Sequence, residues 1–209
     1  MFPERLTKGY HSFLDGRFQE ERGRYAALGE TGQSPSIMVI GCVDSRVSPE
    51  VIFDAAPGEI LVARNVANLV PPFEEGGGHH GTSAALEFAV RALAVRHIVV
   101  LGHAFCGGIK AFASEGTPLT ESDFIGKWMS QIAPAAEVLK TPKDDWDEYL
   151  HQLEFASVEL SLKNLLTFPF VRAAVEKGEL LLHGAYFGVA SGRLLVRDPR
   201  SGTFEPVGA

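Results

Sequence analysis

Chemistry in this sequence is concentrated in two short stretches. In "VIGCVDSRVSP", Val39 to Pro49, an apolar run ends on a thiol, a carboxylate and a guanidinium at alternate positions, Cys42, Asp44 and Arg46. Side chains of an extended chain alternate between faces, so these three share one side while the backbone stays extended. In "VVLGHAFCGGIK", about sixty residues later, His103 and Cys106 follow a second apolar run. Cys42 and Cys106 are the chain's two cysteines. Thiolate and imidazole are borderline-soft donors that suit Zn²⁺, and Cys42, His103 and Cys106 leave the fourth position of a tetrahedral ion open. A structural zinc has all four positions closed, so three firm ligands point to a catalytic centre with one ion per chain. Such an open site lowers the pKa of a bound water toward neutrality and so supplies a nucleophile. Asp44 has two roles available: fourth ligand in a closed state, or hydrogen-bond acceptor beside the open position. Arg46 can hold the carboxylate through paired charge-assisted hydrogen bonds, which favours the second role.

Segments this far apart meet only if the fold brings their ends together. "SIMVIG" and "HIVVLG" are continuous apolar runs too short for helices, and "PGEILVARNVAN" contains another, so strands are expected near residues 37 to 41, 60 to 63 and 97 to 102. Between them, Leu86, Ala89, Val90 and Leu93 have helical spacing, with Thr82 or Ser83 as a cap. Continuous apolar strands alternating with helices predict an α/β fold, a central, mainly parallel sheet flanked by helices. In such sheets ligands bind at the carboxyl ends of strands where neighbouring connections part, which is where both stretches fall. Further on, helices are expected from Asp123 to Lys140, broken at Pro134, and from Trp146 to about Leu166, stopped by Pro169. "ELLLHGAYFGVASGRLLVRD" reads as two strands joined at Ala190 to Gly192, an antiparallel edge. Leu6, Tyr10, Phe13 and Leu14 form an apolar stripe on an N-terminal helical arm spanning residues 1–32 of a single 1–209 domain.

Composition removes several classes of function. A net charge of -7 and the lack of any run of five basic residues argue against nucleic acid as a partner. No stretch reaches eighteen uninterrupted apolar residues, and Met1 to Glu20 is charged throughout, so neither a membrane span nor a secretory signal is expected. The expected setting is cytoplasmic and reducing, where two cysteines are better read as metal ligands or reactive thiols than as a disulfide.

"CVDSRVSP", "PGE", "RNVANLVPP", "GHAFCGGIK" and "NLLTFPFVR" occur in the order seen in β-class carbonic anhydrases, and from about Gln33 to Tyr186 the chain resembles the plant-type branch of that family. The resemblance implies interconversion of carbon dioxide and bicarbonate on zinc held by Cys42, His103 and Cys106, with Asp44 and Arg46 as the orienting dyad. It implies a homodimer or a higher even oligomer with sites near the interface. Gln33, nine residues before Cys42, matches a glutamine that donates to substrate oxygen. Ala55 stands in place of a phenylalanine and Phe88 in place of a tyrosine, which gives a roomier pocket and removes a hydroxyl. Val39 occupies the place of a tryptophan found in relatives with a regulatory bicarbonate pocket, so no such pocket is expected. Gly107 and Gly108 could present backbone amides to bicarbonate.

Other readings of the same residues are a carbonyl sulfide or carbon disulfide hydrolase on this scaffold, a non-catalytic zinc-stabilised interaction module closed by Asp44, and a Cys42–Cys106 redox switch. His79 and His80 read as a solvated loop pair, and His11, His97, His151 and His183 as ordinary surface or core residues. Arg64 and Asn65 either line the site or brace a loop.

Overall fold

The computed structural model describes residues 1–76, 78–114, 120–141 and 143–208. The chain opens with helices α1 (Glu4–Asp15) and α2 (Arg17–Thr31), then enters strand β1 (Ile37–Cys42), the short α3 (Pro49–Ile52) and β2 (Ile60–Asn65). Helix α4 (Gly81–Glu87) continues through a π-helical stretch, Phe88–Ala92, into β3 (His97–His103) and α5 (Gly107–Ala113). Helices α6 (Phe124–Met129), α7 (Ala133–Glu137), α8 (Trp146–Leu165) and α9 (Pro169–Glu176) precede β4 (Leu181–Phe187), β5 (Leu194–Arg197) and β6 (Phe204–Pro206).

The strands form one sheet in the order β2-β1-β3-β4-β5-β6, parallel across the first four and antiparallel at β5 and β6. Strand β1 connects to β2 on one side, and the chain then crosses to β3 on the other. The connections therefore part beside the carboxyl end of β1, the switch point at which open α/β sheets bind ligands. One face of β1 and β3 presents Met38, Ile40, Ile98 and Val100, buried against Leu86, Val158 and Leu165 from the flanking helices and Phe168, the N-cap residue of α9. A second apolar cluster, including Val47, Leu69, Ile109, Met129 and Leu153, gathers at the carboxyl ends of the strands and contains both cysteines. Each fully buried Leu or Met contributes roughly 1.5–3 kcal/mol, so the surroundings of the cysteines are held as firmly as the rest of the core.

Two glycines permit close approach here. A Cβ on Gly102 would lie 2.7 Å from Val158 Cγ2, so α8 sits against the end of β3 only because that carbon is missing. A Cβ on Gly108 would lie 2.8 Å from Val66 Cγ1 and 3.2 Å from Ala67 Cβ.

Several expected boundaries differ. The arm is two helices because Gly16, at φ -111° and ψ -102°, interrupts it, and neither helix buries a residue. Thr82 does not cap α4: His80 is the N-cap, and Thr82 Oγ1 accepts a hydrogen bond from Asn65 Nδ2. Pro134 falls in the first turn of α7 after a 3₁₀ turn at Ser130–Ile132, and Pro169 opens α9, a helix the sequence reading did not separate. Both prolines use the first helical turn, where a missing N–H costs nothing.

Candidate metal centre

Cys42 closes β1 and His103 closes β3, its parallel neighbour, while Cys106 is the N-cap residue of α5. All three are buried, and their donor atoms lie within 4.8 Å of one another. Ligands of a tetrahedral zinc stand roughly 3.5–3.8 Å apart, given Zn–S near 2.3 Å and Zn–N near 2.0 Å, so this cradle has the right size. His103 Nδ1 is 3.0 Å from the carbonyl of Ala104, to which it donates in the Nδ1–H tautomer. The lone pair then falls on Nε2, which is buried without a hydrogen-bond partner. Leaving such an atom unpaired costs about 1–3 kcal/mol, a cost that a cation held by His103 with the two cysteines would remove.

The sulfurs are prepared for negative charge. Cys42 Sγ accepts from the amides of Asp44 at 3.4 Å and Ala67 at 3.3 Å. Cys106 Sγ faces the Gly108 and Ile109 amides of the first turn of α5. A hydrogen bond from the Cys106 thiol favours the Cys42 thiolate, and this same contact, with burial, pushes the second deprotonation up at Cys106. A divalent cation held by the three donors would reverse that second effect, since it would stabilise both thiolates at once.

The amide of Ala67 reaches Cys42 only because the chain turns sharply after β2. Ala67 and Asn68 have φ of 63° and 48°, left-handed values that cost a non-glycine residue about 1–2 kcal/mol. Asn65 holds this turn: its Nδ2 donates to Leu69 O at 2.8 Å and its Oδ1 accepts from Leu69 N at 2.8 Å. Arg64, the preceding residue, donates from Nε to Cys42 O at 2.8 Å and from Nη2 to Asp44 O at 2.7 Å. Arg64 and Asn65 therefore both brace loops that carry the site.

Asp44 stands outside the three-donor group. Its Oδ1 accepts from Arg46 Nε at 2.9 Å and Arg46 N at 3.0 Å, and its Oδ2 accepts from Arg46 Nη2 at 2.6 Å. These bonds hold the Asp44 carboxyl well below the usual carboxylate range, burial opposing them only in part. Arg46 Nη2 also donates to Phe105 O at 3.0 Å, which joins the Cys42 loop to the His103–Cys106 loop.

Two residues that the sequence reading passed over complete the surroundings. Glu154 of α8 accepts the Cys106 N–H on Oε1 at 2.9 Å and the Tyr186 O–H on Oε2 at 2.6 Å. Burial raises its pKa against the pull of those two donors. Burial and the nearby carboxylate likewise push the Tyr186 hydroxyl up. A signal was present in the sequence: Glu154 lies within the stripe Leu150, Leu153, Ser157, Val158 and Ser161, an acid where the helical period calls for the core.

Of the remaining candidates, only Gly107 and Gly108 adjoin the three donors. Strand β1 is six residues long, about 17 Å, and Gln33 precedes its amino end whereas Cys42 closes its carboxyl end. Ala55 lines a cavity at that same amino end with Ser34, Pro35 and Ile60. Phe88 is exposed on the helical segment that follows β2. Gly107 and Gly108 open α5 directly beside Cys106. His79 and His80 are exposed in the loop before α4. His97 and His183, expected to be unremarkable, meet across β3 and β4 with Nδ1 and Nε2 3.1 Å apart.

A family model for carbonic anhydrase matches residues 37–194. Beta carbonic anhydrase 3 of Arabidopsis thaliana is 36% identical over 193 residues, an alignment covering 90% of this chain and 74% of that protein. The chain belongs to the β-carbonic anhydrase family. The mitochondrial Beta carbonic anhydrase 6 of the same plant is 35% identical over 192 residues, 90% of this chain but only 65% of that longer protein. Among solved structures, the β-carbonic anhydrase CcaA superposes with a TM-score of 0.89 at 28% identity, over 99% of this chain and 92% of that one. A β-carbonic anhydrase of Sordaria macrospora, described as tetrameric, superposes at 0.78 with 26% identity, over 98% and 96% of the two chains. β-Carbonic anhydrases are zinc lyases, and Cys42, His103 and Cys106 are the residues of this member that could hold the ion. Among its described residues no helix is long and apolar enough to cross a membrane.

Proposed function

We propose that this chain catalyses the reversible hydration of carbon dioxide to bicarbonate and a proton. The observation that carries this reading is the buried three-donor cradle, with its unpartnered His103 Nε2, beside an Asp44 that Arg46 holds away from the donor group. Zinc bound by Cys42, His103 and Cys106 supplies the chemistry of an activated water as nucleophile at neutral pH. The protein's part is orientation. Asp44, kept ionised by Arg46, offers its remaining lone pairs as an acceptor at the mouth of the cradle, and acceptance there fixes how a reacting water presents itself. The amides around Cys42 favour its thiolate, and those of the first turn of α5 act in the same direction on Cys106, whose deprotonation a bound divalent cation would complete. Gly107 and Gly108 form the wall beside Cys106. A reducing compartment such as the cytoplasm suits two free thiols.

Gln33 and Ala55 stand a strand's length from their own Cys42, so their proposed role toward substrate, and that of the exposed Phe88, is played at the site of a neighbouring copy in a dimer or higher even oligomer. Stopped-flow hydration with parallel zinc analysis tests the assignment. Wild type should carry one zinc per chain and hydrate carbon dioxide, and Cys106→Ser should lose both; a zinc-loaded wild type inactive toward carbon dioxide, or active only on carbonyl sulfide, defeats it. Co-assembly of the weakened Gln33→Ala with Cys106→Ser tests the shared site. Random pairing restores about a quarter of wild-type activity if Gln33 serves the partner, and none if it serves its own chain.

A further inference from the structure

The buried acid Glu154 has no part in the chemistry above. It is 5% exposed, and both its carboxylate oxygens are used inside the protein, one of them on the backbone of a metal-ligand residue. As an N-cap residue with φ -66° and ψ 118°, Cys106 has an N–H outside the helical hydrogen-bond ladder, which needs an acceptor from elsewhere. In the loop leading to it, Ala104 is tied by its N–H to Phe187 O at 3.0 Å and by its carbonyl to His103, whereas Phe105 is 71% exposed and has φ of 58°, a strained value for a bulky residue. Beyond Ala104, two contacts fix the loop from either side, Arg46 Nη2 on the Phe105 carbonyl and Glu154 Oε1 on the Cys106 amide. The first is exposed and the second buried, so the second is the one that solvent cannot replace. Glu154 reaches Cys106 because Gly102 lets α8 lie against β3, and Tyr186, opposite Gly102 in the β3–β4 register, holds the other carboxylate oxygen.

We propose that Glu154, oriented by Tyr186, is a positioning residue that fixes the Cys106 amide and so aims Cys106 Sγ into the cradle with Cys42 and His103. The inference rests on Cys106 being a zinc ligand. Its test uses the holoenzyme of Glu154→Leu, Glu154→Gln and Tyr186→Phe, with zinc affinity from chelator competition and the thiolate-to-metal absorption bands of the cobalt-substituted protein. Glu154→Leu should lose 10- to 100-fold in zinc affinity and shift those bands, as partners behind a metal ligand generally do. Glu154→Gln, which keeps an oxygen for the Cys106 amide, should recover most of the loss, and Tyr186→Phe should fall between. A purely structural Glu154 would lower the unfolding midpoint of the metal-free protein while leaving affinity and bands at wild-type values, and that result overturns the proposal. Should Glu154→Leu not fold, Tyr186→Phe decides: weakened zinc binding supports the positioning role and unchanged binding defeats it. Wild-type protein that takes up no zinc would instead defeat the ligand assignment.

Discussion

Replacing Arg64 by methionine keeps the length of the side chain and removes its guanidinium. Arg64 donates 2.8 and 2.7 Å hydrogen bonds to the carbonyls of Cys42 and Asp44, which bracket the segment carrying a metal ligand and the candidate orienting acid. A hydrogen bond from a charged donor contributes roughly 1.5–3 kcal/mol when buried. Here one bond is half-buried and the other exposed, so solvent competes and the pair together is worth about 2 kcal/mol. If all of that energy served to aim Asp44, kcat/KM would fall about 30-fold, at 1.36 kcal/mol per factor of ten. If it served only folding, the urea midpoint would drop by about 1 M at a slope near 2 kcal/mol per M, and kcat/KM of the folded protein would not change. The two carbonyls flank Asp44, so we expect most of the effect on kcat/KM, a loss of about 10-fold or more at unchanged zinc content. Stopped-flow hydration and urea unfolding of Arg64→Met separate the outcomes. A folded, zinc-loaded variant with wild-type kcat/KM refutes the reasoning, and Arg64 is then a brace for the fold alone.

Burial, and then the neighbouring His97, hold the His183 pKa below its ordinary 6.5. Below that pH the unfolded chain takes up a proton that the folded chain refuses, so stability is lost as pH falls through 6.5, with a slope of up to about 1.4 kcal/mol per pH unit. Urea unfolding between pH 7.5 and 5 should show a shallower loss for His183→Gln than for wild type, and parallel curves would contradict the assignment. Gly108→Ala places its Cβ 2.8 Å from a β-branched Val66 and pushes on the turn whose Ala67 amide serves Cys42. Overpacking of about 1–3 kcal/mol should outweigh the roughly 1 kcal/mol helical advantage of alanine. A lower unfolding midpoint and faster zinc release to a chelator are expected, whereas Gly107→Ala, with nothing within 4 Å, should be neutral or slightly stabilising. Indistinguishable behaviour of the two variants would count against this account.

What could be read from the sequence was whatever periodicity and end position encode. The runs ending at Cys42 and His103 are continuously apolar because interior parallel strands are buried on both faces, so the strands and the ligands closing them could be placed together. Asp44 and Arg46, two residues apart, form a contact too local for tertiary structure to override. Contacts between distant segments were not legible. Nothing near Cys106 indicates that its amide is answered from residue 154, and nothing in "RNVAN" states that Ala67 adopts a positive φ to reach Cys42. The split of the N-terminal arm at Gly16 was missed because one glycine within a helical pattern is usually tolerated. Strand β6 was missed because three residues ending in proline carry little pattern, and the strand exists by pairing with β5.

The position of β1 and β3 within the sheet has a further consequence. Each is flanked on both sides by a parallel neighbour, so separating Cys42 from His103 requires opening ladders that are among the last to break. Amide hydrogens of residues 38–41 and 98–101 should therefore exchange with solvent only through the rarest openings, whereas the Asp44–Arg46 loop, outside any ladder, can fluctuate without them. Cys42 and His103 on the one hand, and the acid beside them on the other, are thus expected to belong to regions of different local stability: the two strand-end ligands keep time with global unfolding, and the orienting loop moves on its own, faster clock.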